Sequence, residues 1–260
     1  MRSSDIGVVP AAGRATRLPG SPCSKELLPV GGTAAPGGAR PKAVSEYLID
    51  ALVGAGVRRA CMIVAPDKHD ILRYYGSGSR HGIDLAYLCQ TTATGMADAI
   101  DLAYPWIRDH TVFMGMPDTV FRPADAFAQL RVVYERERAD LALVVCPTDE
   151  PARLGPVMFD ARGRVLEVMD KPVSAPHNMV WVVAIWSPAL TEFLHAELAA
   201  RRPSAHEIAL GSMFQTAVER GFRVHALPFP DGFYIDAGTV EGLAAARQAV
   251  ASAGSAAASP

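Results

Sequence analysis

One pattern repeats between Ile6 and Cys146 and leaves few folds open: a short apolar run, a loop or turn, then a stretch with helical spacing. Ile6–Pro10 reads as a buried strand. The Gly-, Pro- and Ser-rich segment from Ala11 to Ser24 that follows is too long for a simple turn and reads as a functional loop. A second loop, Gly31–Arg40, ends at Pro41, and beyond it Val44, Tyr47, Leu48, Ala51 and Leu52 recur at helical spacing until Gly54 and Gly56 stop the helix. Strand Ala60–Ala65, helix Asp67–Tyr75, strand Leu85–Cys89, helix Met96–Tyr104, strand Thr111–Gly115, helix Ala124–Arg138 and strand Leu141–Cys146 continue the series. This alternation predicts a mostly parallel sheet covered by helices, because a parallel crossover needs a connection long enough to hold a helix.

After Pro147 the texture changes to strand-like segments, Val157–Phe159, Val165–Met169 and Val180–Trp186, which read as a sheet extension or lobe. Helices at Pro188–Arg201 and Glu207–Arg220, a strand at Arg223–Leu227 and a helix from Val240 complete the chain. We expect one domain over residues 1–250. The last ten residues, 251–260, contain only Ala, Ser, Gly and Pro, bring nothing large to bury, and read as a frayed, flexible tail. With half its residues hydrophobic and 20% charged, the chain supplies enough apolar surface for a core. Lys and Arg number 25 against 27 Asp and Glu, a net charge of −2 that argues against nucleic acid as a partner held by bulk charge. The longest apolar run, Met179–Trp186, is far short of the ~20 residues of a membrane span, and Met1–Pro10 has no secretory pattern, so a cytoplasmic protein without a membrane partner is expected. Cys23, Cys61, Cys89 and Cys146 form no CxxC pair and the histidines no HxH or HxxxH pair, which leaves no zinc site to expect from them.

The chemistry concentrates in Val8–Val30, where a strand runs into a small-residue loop carrying Arg14, Arg17 and Lys25. Gly13 and its flanking alanines let backbone approach a ligand, N–H groups can point at phosphate, and the cations can neutralise it. This predicts a grip on polyphosphate. The segment is neither GxxxxGK[ST] nor GxGxxG, which argues against P-loop hydrolysis and against hydride transfer on a dinucleotide fold.

Ala11, Ala12, Gly13, Arg14, Ala15, Thr16, Arg17, Leu18, followed by Ser24, Lys25, Glu26, Leu27, Leu28 and Pro29, resemble the signature of the sugar-phosphate nucleotidylyltransferases, the glucose-1-phosphate thymidylyltransferases and uridylyltransferases among them. Later segments fall in that family's order: Gln90 with Gly95–Ala99, Met116–Phe121, Leu154–Val157, Glu167–Pro172 and Tyr234–Thr239. The resemblance implies an α/β, Rossmann-like fold, with a mostly parallel central sheet flanked by helices and a small sugar-binding extension. It implies an enzyme that transfers a nucleotidyl group from an NTP, dTTP or UTP favoured, to a sugar 1-phosphate, releasing pyrophosphate.

It also implies roles. Arg17, Lys25 and Lys171 would act on the phosphates; Ala11, Ala12, Gly13, Arg14, Gln90, Gly95 and Met116 would hold the nucleotide. Gly155, Asp170, Glu207 and Tyr234 would meet the sugar. Asp118 and Asp236 would hold Mg2+. Asp170 stands where glutamate is usual, Tyr234 where tryptophan is usual, and the Thr-Asp expected after Glu207 is absent. These departures all lie on the sugar side, so a cyclitol phosphate remains an alternative acceptor, and a nucleotide-sugar sensor an alternative to an enzyme. The base, the sugar and any homo-oligomeric state stay open.

Overall fold

The computed structural model describes residues 4–13, 23–35, 38–201 and 207–256. The first half holds β1 (Asp5–Ala11), a 3-10 turn (Lys25–Leu27), β2 (Pro29–Ala35), β3 (Gly38–Ala43), α1 (Val44–Gly54), β4 (Arg59–Val64), α2 (His69–Tyr75), β5 (Asp84–Cys89), α3 (Met96–Leu102), α4 (Tyr104–Ile107), β6 (Thr111–Gly115) and β7 (Thr119–Arg122). There follow α5 (Ala126–Arg136), β8 (Leu141–Pro147), β9 (Val157–Phe159), β10 (Val165–Val168), β11 (Met179–Trp186), α6 (Pro188–Arg201), α7 (Leu210–Glu219), β12 (Val224–Pro228), β13 (Phe233–Asp236) and α8 (Val240–Ala256).

Seven strands form the central sheet in the order β12-β8-β11-β6-β1-β4-β5. All neighbours run parallel except β11, which is antiparallel to both β6 and β8. The apolar runs are continuous because both faces are covered. On β6, Val112 and Met114 face the core under α3, α6 and α7, while Phe113 faces the core under α1 and α5; β8 splits the same way, with Leu141, Leu143 and Val145 opposite Ala142, Val144 and Cys146. A smaller cluster of Val30, Val44, Val120, Ala237 and Ala246 fastens α8, β7 and β13 beside the main core.

Four expectations change. β11 belongs to the middle of the main sheet rather than to a lobe; of the three strand-like segments after Pro147, β9 and β10 pair outside it. The Gly31–Arg40 loop lies mostly within the antiparallel β2–β3 pair, whose small residues carry no apolar alternation to announce a strand. β7 and β13, not anticipated as strands, pair antiparallel. The tail beyond residue 250 is helical as far as Ala256, since α8 continues through it and Ala is the best helix former. No described helix is long and apolar enough to cross a membrane.

Close packing at the sheet centre sets a stability test. A β-carbon on Gly7 would lie 2.8 Å from Ala60 Cβ and 3.2 Å from Leu52 Cδ1. Gly7→Val is expected to destabilise the fold by about 1–3 kcal/mol through overpacking, read from urea denaturation; a change under about 0.5 kcal/mol, the scale of an indifferent surface substitution, would contradict this packing.

Candidate active site

From β1 the chain builds the sheet outward through β4 and β5, then crosses to the other side of β1 with β6. That reversal is a topological switch point, and in open α/β sheets the crevice at the strand carboxyl ends there is where ligands sit. Ala12 and Gly13 leave β1 at this crevice, and Met116 to Asp118 leave β6 at it.

Lys25, on the 3-10 turn, reaches into the crevice and forms an ion pair with Asp118 in which both side chains are largely buried. A β-carbon on Gly13 would lie in ordinary contact with Lys25 Nζ, at 3.7 Å, so the loop after β1 runs beside the ammonium. Asp236 arrives through the β7–β13 ladder: it pairs with Thr119, and the Ala237 N–H donates to the Asp118 carbonyl at 2.9 Å. Burial works against the Lys25 charge, but the field of Asp118, Glu26 and Asp236 outweighs it and raises the pKa. Asp236, 118 positions from Asp118 in sequence, is thereby brought beside the segment that carries Asp118.

The turn carrying Lys25 is clamped on both sides. The Ser24 N–H and hydroxyl donate to Asp70 at 2.6 and 2.7 Å. Glu26, 1% exposed, accepts from Lys68 Nζ at 2.7 and 2.8 Å, and its backbone carbonyl accepts from the Ser45 hydroxyl at 2.6 Å. Lys68 also donates to the Ala11 carbonyl at 2.7 Å. Sequence reasoning did not single out Lys68 or Asp70, because a charged pair at a helix start ordinarily reads as solvated.

Beside this centre, an open cleft of about 250 Å³ is lined by Ala12, Ala65, Pro66, Asp67, Gln90, Thr91 and Ala93. Gln90 is buried, and its amide NH2 donates to Thr94 Oγ1 at 3.3 Å and to the Gly95 carbonyl at 3.1 Å, leaving the amide oxygen as an acceptor. Gly95 has φ +112° and abuts Glu207, whose Cγ would lie 2.5 Å from any β-carbon there. A side chain at Gly95 would meet both backbone strain and collision.

Three of the residues expected at the sugar, Gly155, Asp170 and Glu207, lie near β9, β10 and α7, and Tyr234 lies apart on β13. Gly155 packs on the Trp181 indole, and its carbonyl accepts from the Trp181 N–H at 3.1 Å. Asp170 abuts Gly211 in the first turn of α7. Lys171 is exposed and holds a left-handed backbone, φ +41°, with its N–H bonded to the Leu154 carbonyl at 2.9 Å. Such a conformation in a non-glycine residue costs of order 1–3 kcal/mol and concentrates at functional sites. Glu207 touches Gly95 while Gly211 touches Asp170. Those four steps of chain span at most ~14 Å, so the Gln90 cleft and this cluster are close neighbours. Tyr234 is half-buried opposite Phe121, and Met116 is half-buried with its carbonyl bonded by the Thr119 hydroxyl at 2.9 Å. Arg14 and Arg17 lie outside the described residues.

Among the described residues no group of three or more His, Cys, Asp and Glu could hold a metal. Asp118 and Asp236 carry hard oxygen donors of the kind Mg2+ takes together with substrate phosphate and water, and the β7–β13 ladder brings their backbones side by side.

The family model described as nucleotidyl transferase matches residues 6–253. The chain is 23% identical over 87% of its length to the low-salt glycan biosynthesis nucleotidyltransferase Agl11 of Haloferax volcanii, and it spans 60% of that relative, less than two thirds. It is 27% identical to the UTP–glucose-1-phosphate uridylyltransferase AglF of the same organism, over 93% of this chain and 94% of that one. The solved structure of a UDP-glucose pyrophosphorylase complexed with UDP-glucose superposes with a TM-score of 0.79 at 20% identity, covering 96% of this chain and 99% of the other.

The Ser24 clamp has a pH signature. Burial opposes the Asp70 charge, and the hydrogen bonds from Ser24 outweigh it, holding the carboxyl below its ordinary range. A carboxyl lowered on folding stabilises the fold fully above its unfolded pKa of ~3.9 and loses that contribution as pH falls through the folded value. Asp70→Asn is therefore expected to lower the urea midpoint near neutrality, with the gap from wild type closing as pH falls below about 3.9. A gap that stays constant down the whole acid range would show that Asp70 is not held ionised by Ser24.

Proposed function

Because the chain belongs to the nucleotidyl transferase family, we propose that it transfers the nucleotidyl group of dTTP or UTP to a sugar 1-phosphate, giving a nucleoside diphosphate sugar and pyrophosphate. The observation that carries this reading is the Lys25–Asp118 ion pair at the switch-point crevice, beside the Gln90 cleft, with the β7–β13 ladder bringing Asp236 next to the Asp118 segment. A sensor that only binds nucleotide sugars needs no such pair of carboxylates.

In the proposed reaction an oxygen of the acceptor phosphate attacks the α-phosphorus, the bond to the β-phosphate breaks, and its electron pair leaves with pyrophosphate. The nucleophile needs no general base, since a phosphate monoester with second pKa near ~6 is already largely dianionic at neutral pH. The difficulty is the approach of two polyanions. Lys25 and the backbone after β1 neutralise and align the triphosphate, Arg17 joins them by the family resemblance, and Lys171 meets the acceptor phosphate. Asp118 and Asp236 are the residues to hold Mg2+, which when bound supplies positive charge to the phosphate oxygens.

The base preference follows from Gln90. With both amide hydrogens engaged by Thr94 and Gly95, the oxygen it presents accepts from the N3–H of uracil or thymine. Adenine and cytosine place an acceptor at the corresponding edge, and a purine needs more room than a pyrimidine. Asp170 and Tyr234 set the acceptor side, where the sequence departs most from its relatives' pattern.

A pyrophosphate-release panel crossing the common NTPs with hexose 1-phosphates and a cyclitol phosphate tests this reading. We expect dTTP or UTP to exceed ATP, GTP and CTP by at least tenfold, and turnover of ATP or GTP tenfold above both pyrimidines would overturn the role of Gln90. Lys171→Ala is expected to lower kcat/KM for the acceptor roughly 10- to 150-fold, the equivalent of one charge-assisted contact, with the KM for NTP within about twofold. Unchanged acceptor kinetics would make Lys171 an ordinary surface lysine.

A further inference from the structure

We propose that Lys68 is a positioning residue, a buried ammonium that sets the catalytic turn, the phosphate-facing loop and the wall of the base cleft relative to one another. The inference rests on the transfer reaction given above and deepens it.

Lys68 is 7% exposed, and its ammonium meets three oxygens: the Ala11 carbonyl at 2.7 Å and both carboxylate oxygens of Glu26 at 2.7 and 2.8 Å. An ammonium has three donors, so all are accounted for. Each partner belongs to a different part of the site. Ala11 ends β1, two residues before the Gly13 backbone that runs against Lys25. Glu26 is the neighbour of Lys25 in the 3-10 turn. Lys68 itself follows Ala65, Pro66 and Asp67, which line the Gln90 cleft, and its own N–H is bonded to the Ala65 carbonyl at 3.1 Å.

Stability alone does not account for the pair. A buried ion pair is commonly no more stabilising than apolar side chains of the same volume, because desolvation offsets the attraction. What apolar groups cannot supply is direction: three bonds to two segments fix where those segments lie. The pair also sorts charges at the centre. The negative charge of Glu26 acts on Lys25 as well as that of Asp118. By occupying both oxygens of Glu26, Lys68 leaves Asp118 as the carboxylate bonded to Lys25. Asp70, two residues on, holds Ser24, so the start of α2 grips the turn on both sides of Lys25.

The test compares wild type, Lys68→Met and the double variant Lys68→Met/Glu26→Met. The single variant strands a buried carboxylate, so its urea midpoint is expected to fall; the double removes both charges, and its midpoint is expected to return toward wild type. Pyrophosphate release is expected to stay at least 30-fold slow in both, with the acceptor KM within twofold of wild type. A purely structural pair would instead regain rate together with stability. A crystal structure of the double variant is the second readout, and the 3-10 turn carrying Lys25 is expected to have shifted relative to Ala11. A double variant that turns over within threefold of wild type, or that keeps this turn in its wild-type place, overturns the proposal. If wild type releases no pyrophosphate with any NTP, the transfer reading fails, and the position of this turn in the double variant still decides the role of Lys68.

Discussion

The ion pair between Lys25 and Asp118 is the contact on which the rest of the site depends. A largely buried ammonium needs a carboxylate, and a carboxylate at that depth needs a cation, so neither side chain could sit there alone without a large desolvation cost. Meeting that requirement joins two distant pieces of chain, the turn after β1 and the end of β6. The β7–β13 ladder then brings Asp236 opposite Thr119, beside Asp118. The grip of Asp70 and Lys68 on Ser24 and Glu26 holds the turn from behind.

The arrangement manages charge more than it activates a nucleophile. In the proposed reaction a triphosphate and a phosphate monoester repel each other, and Lys25 with the backbone after β1 would answer the first charge while the left-handed Lys171 would answer the second. Segment 207–211 links the Gln90 cleft to the Asp170 cluster, touching Gly95 at one end and Asp170 at the other.

Much of this was legible in the sequence, for identifiable reasons. The parallel half of the sheet was readable because its apolar strands and helical repeats alternate, and Lys25 and Asp118 stood in ordered motifs, 93 residues apart, that the fold joins in an ion pair. An apolar run such as Met179–Trp186 announces a strand but not its neighbours, so its place between β6 and β8 was hidden. The β2–β3 pair was missed because Gly and Ala carry no alternation, and β7 and β13 because each is only four residues long. Lys68 was invisible for a deeper reason: what makes it matter is three oxygens from two other segments, and no local pattern encodes that meeting.

The most direct test of the central claim is Mn2+ binding, followed by electron paramagnetic resonance in the presence of a nonhydrolysable α,β-methylene pyrimidine triphosphate. The account predicts one tight Mn2+ per chain in the wild type and at least tenfold weaker binding in both Asp118→Asn and Asp236→Asn, with the far-ultraviolet circular dichroism of each variant unchanged. Binding equal to wild type in both variants would contradict the claim that these two carboxylates and the nucleotide phosphates share one cation.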